Sequence, residues 1–188
     1  MTRDDISAIH FAGLKNPVTQ TNEVLKRLRR DGHVECATDR RMYVYFPSPS
    51  IKKDSAKLGH YLAIVEFYRQ LCAIEKPRVF DVEPRIGAKG SPEPDVFTIW
   101  RGAPWYVEIQ RTQFSGRVMS DKYNRYAEYH LGGKWAEESW QPANKRVFPY
   151  VWITGVGAGK YDVPAGLPYR IFQDSVEGMN ARLAKRQS

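Results

Sequence analysis

Hydrophobic positions recur along this chain first at three- and four-residue spacing and then in runs of period two, which predicts helices and strands in a definite order. Thr2 to Phe11 forms an expected helix, with Thr2 as its cap and the acids Asp4 and Asp5 suited to the positive end of the helix dipole. Ala12 to Lys15 makes a turn. Asn16 caps a second helix with Pro17 at its first position, running to about Asp31, and Gly32 stands where a left-handed residue ends a helix. Val18, Thr21, Leu25 and Leu28 make its expected buried stripe. Val34 and Cys36 then alternate in a strand, Asp39-Arg40-Arg41 makes a polar tip, and a second strand returns through Met42 to Phe46.

Pro47-Ser48-Pro49-Ser50 separates this basic segment from a longer mixed one, so domains are expected over 1–50 and 51–188. The second opens on a helix from about Lys57 to Glu75, with Leu58, Leu62, Val65 and Cys72 sharing a face. Strands follow at Val79 to Ile86, Asp95 to Trp100 and Trp105 to Arg111, the last two joined by a tight turn over Arg101-Gly102-Ala103-Pro104. A helix from Ser120 to about Trp135 precedes the apolar run Val147 to Thr154, which suits a buried strand. Tyr169 to Phe172 adds a short strand and Val176 to Lys185 a final helix. The fold class is α/β (α+β), with an α-β-β-β-α-β core on a mixed central sheet. In the first segment, helix-turn-helix followed by a basic-tipped hairpin is the winged-helix pattern, a DNA-binding arrangement.

Composition changes the picture in two respects. A net charge of +8 favours a polyanionic partner, nucleic acid first. No apolar run approaches the roughly 20 residues of a membrane span, and acids stand where a signal peptide would be basic. The only cysteines, Cys36 and Cys72, sit in apolar patterns and point to reduced core thiols in a cytoplasmic protein. The expected partner is DNA and not a membrane, and a homodimer is left open.

Candidate chemistry gathers on two adjacent strands. A hairpin can bring Asp95 within a few ångströms of Glu108, and alternation puts Glu108 and Gln110 on one face. Two carboxylates that close repel unless a cation sits between them. Oxygen ligands on strands suit Mg²⁺ or Mn²⁺, which can activate water against a phosphodiester. Taken singly, Glu108 between Val107 and Ile109 also suits a surface carboxylate, and Asp95 after Pro94 also suits a plain strand start. Their joint occurrence on adjacent strands favours a site.

The order of elements and the motif Pro94-Asp95…Glu108-Ile109-Gln110 resemble the PD-(D/E)xK, restriction-endonuclease-like nucleases. The resemblance implies that Asp95, Glu108 and the Ile109 carbonyl bind metal, with Gln110 where lysine usually stands. Gln110 carries no charge, so Lys122 is the candidate replacement, four residues before Tyr126 on the same helical face. Glu66 is a candidate additional acid. With its N-terminal segment, the whole chain is similar to replication-relaxation proteins of bacterial plasmids and mobile elements, through Pro94-Asp95, Glu108 to Thr112 and Lys122…Tyr126. On the first segment, Gln20, Asn22, Lys26, Arg27 and Arg30 are expected to meet DNA, with Arg40 and Arg41 on its backbone. A metal-dependent nuclease and a non-cleaving DNA-binding replication or relaxation accessory protein both remain open, and Gln110 keeps the second in play. Gly155 to Lys160 is not a phosphate loop: it is one residue short, and Tyr161 replaces the Ser or Thr that would hold magnesium. His10, His33, His60 and His130 show no ligand spacing.

Overall fold

The computed structural model describes residues 1–38, 42–49, 56–155 and 160–185. It divides into two compact units, Met1–Arg69 and Gln70–Ser188. The boundary expected between residues 50 and 51, the tip residues Arg40 and Arg41, and most of the loop after Gly155 lie outside the described residues.

In the first unit, α1 (Arg3–His10) starts at a capping box. The Thr2 hydroxyl accepts from the Asp5 N–H at 3.1 Å, while the Asp5 carboxylate accepts from the Thr2 N–H at 2.9 Å. Helix α2 (Pro17–Arg30) ends with Gly32 at φ 76°. There His33 N–H donates to the Leu28 carbonyl and Gly32 N–H to that of Arg29, the pair of bonds that closes a Schellman end. Thr21 and Leu25 are buried, but Val18 at the start of the expected stripe is 46% exposed, because the apolar face of α2 narrows toward its N-terminus. Strands β1 (Val34–Ala37) and β2 (Val44–Pro47) pair antiparallel. Ala37, Val44 and Phe46 pack with Leu58 of α3 (Ala56–Ile74) into a small core. Along α3 the buried positions are Leu58, Ile64, Phe67 and Leu71. The stripe thus lies one residue ahead of the one expected at Val65 and Cys72, and Cys72 is an exposed thiol rather than a core one.

The second unit is a five-stranded mixed sheet in the order β3-β4-β5-β6-β7. Strands β3 (Val79–Val82), β4 (Val96–Trp100) and β5 (Ala103–Gln110) pair antiparallel. Strands β6 (Tyr150–Gly155) and β7 (Ile171–Gln173) add on in parallel. Strand β3 stops four residues short of Ile86, since Glu83 turns to φ 47° and Pro84 has no N–H to donate. Strand β6 starts at Tyr150 rather than Val147 for the same reason, because Pro149 stands just before it. The β4–β5 connection is a two-residue turn: Arg101 and Gly102 both take positive φ, 52° and 72°, the geometry that matches the twist of a tight hairpin. Helix α4 (Gly116–Gly132) lies in the crossover between β5 and β6. It begins a turn before Ser120 because the Ser115 hydroxyl caps it, and it ends at left-handed Gly133 before a 3₁₀ turn at Lys134–Glu137. Helix α5 (Val176–Ala184) closes the chain behind a Ser175 cap.

Strand alternation gives the sheet two apolar faces. One carries Phe97, Ile99, Tyr106 and Val151, packed with Tyr126 and Tyr129 of α4. The other carries Trp100, Trp105 and Trp152, each at most 1% exposed, with Trp100 and Trp152 stacked at 5.8 Å. Each buried indole N–H finds a carbonyl: Glu75 for Trp100, Trp100 for Trp105, Asp174 for Trp152. Among the described residues there are five α-helices, and no helix is long and apolar enough to cross a membrane.

Candidate active site

Antiparallel register places the acids together. Val96 faces Val107, so Asp95 and Glu108 come next on their strands, on the face that also holds Phe97 and Tyr106. Asp95 lies just before β4, where its N–H still donates to the Val107 carbonyl at 3.0 Å. Its carboxylate accepts from the Ile109 N–H at 2.6 Å, tying the Asp95 side chain to the strand that carries Glu108.

Glu108 is 3% exposed, a carboxylate inside the sheet–helix layer. It survives there because α4 turns polar atoms onto it. Lys122 Nζ donates to Oε2, and Tyr126 Oη donates to Oε1 at 2.9 Å. The two donors are four residues apart, so a single helical face brings both to one carboxylate. Burial is the main reason the Glu108 carboxyl is held above the usual carboxylate range; the Lys122 ammonium draws it back down, and the nearby Asp95 charge raises it. Tyr126 is pushed well above the usual phenol range, by burial first and by Glu108 second, so it stays a proton donor.

The raised Glu108 value has a consequence for stability. The folded chain holds this proton more tightly than the unfolded chain does. Its contribution is therefore full below the ordinary carboxylate range and is lost as pH rises through the raised folded value. With a chelator present, Glu108→Gln is expected to raise the urea midpoint at about pH 7 and to give no gain at about pH 4. A lower midpoint for the variant at neutral pH would show that the ion pair with Lys122 outweighs burial.

Gln110, 2% exposed, follows Glu108 on the same face. Its amide is already engaged: Tyr161 Oη donates to its carbonyl oxygen, and its Nε2 lies 3.2 Å from Met119 Sδ. Tyr161 is fixed in turn by Gln173, which accepts from the Tyr161 N–H at 2.6 Å and donates to the Tyr161 carbonyl at 2.8 Å. Sequence inspection missed Tyr161 and Met119 as partners. The available signal was a tyrosine just after a glycine-rich loop at the end of a buried strand.

The structure thus brings Asp95, Glu108, Ile109, Gln110 and Lys122 into one neighbourhood. Glu66 belongs to the first unit, where it is exposed and pairs with Arg69 at 3.3 Å. Gln20, Asn22, Lys26, Arg27 and Arg30 are all exposed along α2, with Arg30 paired to Asp31 at 2.8 Å. Among the described residues no cluster of three or more His, Cys, Asp or Glu side chains stands ready for a metal.

Fold and site together define a mixed α/β unit with an acid–acid–lysine group, the acids on the sheet and the lysine on the crossover helix. No protein-family model matches the chain, and no curated protein matches it in sequence. Among solved structures it is similar to the small subunit of the heterodimeric restriction endonuclease R.BspD6I, at a TM-score of 0.40 and 8% identity, over 71% of this chain and 72% of that one.

Proposed function

We propose that this chain is a DNA-binding, divalent-metal-dependent nuclease whose centre is Asp95, Glu108 and Lys122. The observation that supports this most is the seating of Lys122 on Glu108, beside Asp95. It restores with a helix residue the cation that Gln110 does not supply. Two carboxylates and one ammonium leave a net charge of about −1 around a buried Glu108, which favours an added hard cation. Asp95, Glu108 and the Ile109 carbonyl are hard oxygen donors that would hold Mg²⁺ or Mn²⁺. Such an ion, when bound, supplies Lewis acidity and a more acidic water. The chain's own groups do the rest. Tyr126 and the Ile109 N–H hold the two carboxylates in place, and Lys122 brings positive charge to the phosphate as negative charge builds on it.

For the first unit we read α1, α2 and the β1–β2 hairpin as a winged helix. Helix α2 would enter the groove with Gln20, Asn22, Lys26, Arg27 and Arg30, and Arg40 and Arg41 would meet the backbone. The whole proposal is tested by incubating the chain with supercoiled, linear and single-stranded DNA in Mg²⁺ or Mn²⁺. Nicking is expected that disappears in Asp95→Ala and Glu108→Ala, together with DNA affinity that falls steeply with salt and weakens when Lys26 and Arg27 become alanine. No nicking of any form would leave the alternative, a non-cleaving DNA-binding accessory protein. One observation favours that alternative: Gln110 stands in the usual lysine position without a charge, and its amide is already held by Tyr161 and Met119.

A further inference from the structure

Three exposed cations of the second unit, Lys89, Arg125 and Lys134, have no assigned task. Residues 87–91 and the C-terminal half of α4 enclose a cleft of about 310 Å³, and Lys89, Arg125 and Lys134 line it. None of the three makes an ion pair among the described residues. Glu128 is the acid in the lining, so the cleft carries a net charge of about +2.

On the loop side of the cleft, Gly87 and Gly90 flank Ala88 and Lys89 and leave backbone exposed on either side of the Lys89 side chain. Gly87 and Gly90 take φ values of 71° and 97°, which side chains rarely adopt. A Cβ on Gly87 would lie 2.3 Å from Ser91 Oγ and 3.2 Å from the Tyr129 ring, whereas a Cβ on Gly90 would meet nothing within 4 Å. The loop therefore packs against Tyr129 at one end and stays open at the other.

Position links the cleft to the acids. The loop leads directly into Asp95, four residues beyond Ser91. On α4, Arg125 precedes Tyr126, which donates to Glu108, and stands one turn after Lys122. Lys122 and Arg125 thus stand one turn apart on that helix, and Lys134, just past its end, shares the cleft lining with Arg125.

We propose that this cleft binds the phosphodiester backbone of the DNA strand presented to Asp95 and Glu108. The proposal rests on the nuclease function above and adds its substrate track. Two features favour an extended strand over a compact free anion. The cations are spread over the loop, the helix and the turn past its end, and Glu128 among them opposes a dense multiple charge but tolerates one charge per nucleotide. Tyr129, the aromatic in the lining, is only 7% exposed, so no ring face is offered to a base and contact is to the backbone.

The test is nuclear magnetic resonance on the full chain, ¹⁵N-labelled and kept in chelator so that nothing is cut. It is titrated in parallel with a short single-stranded oligonucleotide and with inorganic phosphate. The oligonucleotide is expected to shift the amides of Gly87, Gly90 and Ser91 to saturation. Combining Lys89→Ala, Arg125→Ala and Lys134→Ala should raise the dissociation constant read at those amides about tenfold or more, with the other resonances of the second unit unmoved. Silent loop amides in the wild type would overturn the cleft, and so would phosphate shifting them at equally low concentration. Because the readout needs no cleavage, the two proposals fail separately. Loop shifts in a protein that never nicks DNA support the cleft and sink the nuclease, whereas metal-dependent nicking with silent loop amides sinks the cleft alone.

Discussion

Lys122→Ala is expected to lower metal-dependent nicking about 100- to 1000-fold while leaving the fold intact, a loss typical of removing one charge stabiliser from a reacting centre. Two causes contribute, and they separate with pH. Lys122 holds the Glu108 carboxyl down against burial, so its removal raises that group further and leaves more of it protonated and unable to bind metal. That part of the loss is recovered as pH rises. The part due to missing positive charge at the phosphate is not recovered. A pH–rate profile of the variant, compared with Lys122→Arg, distinguishes them. An alanine variant that nicks like wild type at every pH would remove Lys122 from the chemistry.

A second large effect is expected at a residue that carries no charge. Gly155 ends β6 opposite Gln110 with φ 137°, and a Cβ there would lie 1.9 Å from the Gln110 carbonyl oxygen and 2.8 Å from its backbone carbon. The obstructing atoms are backbone, so no rotamer relieves the clash. Gly155→Ala must either part the end of β6 from β5 or unseat the strand carrying Glu108, and it is expected to cost about 2–4 kcal/mol of stability. Urea unfolding followed by circular dichroism reads this directly. An unchanged midpoint would mean that the parallel ladder can open at Gly155 without cost.

Local chemistry was legible in the sequence wherever partners lie within a helical turn or a tight hairpin. Thr2 with Asp5, Gly32 after α2, and the Arg101-Gly102 turn carry their own stereochemistry, and all three are in place. So is the convergence of Lys122 and Tyr126, which helical spacing alone brings to one face. Legibility fails where a boundary depends on one side-chain bond or on a distant partner. The start of α4 is set by Ser115, which composition does not distinguish from an ordinary loop serine. The exposure of Cys72 follows from a rotation of α3 by one residue, and an apolar pattern on a mostly apolar helix does not fix that angle. The restraint on Gln110 comes from Tyr161, 51 residues away, across a parallel strand pair whose register no local motif records.

The distribution of indoles gives the molecule a built-in optical asymmetry. All five tryptophans lie beyond residue 69, so the first unit has none. Trp100, Trp105 and Trp152 form one solvent-excluded group, with Trp105 and Trp152 edge to face at 5.5 Å. Tryptophan emission, excited at the red edge where tyrosine does not absorb, will therefore be shifted to short wavelength by the sheet unit and will follow its unfolding alone. Loss of the first unit passes unseen in that signal while ellipticity falls. A gap between fluorescence and ellipticity melting curves measures directly how independently the two units unfold.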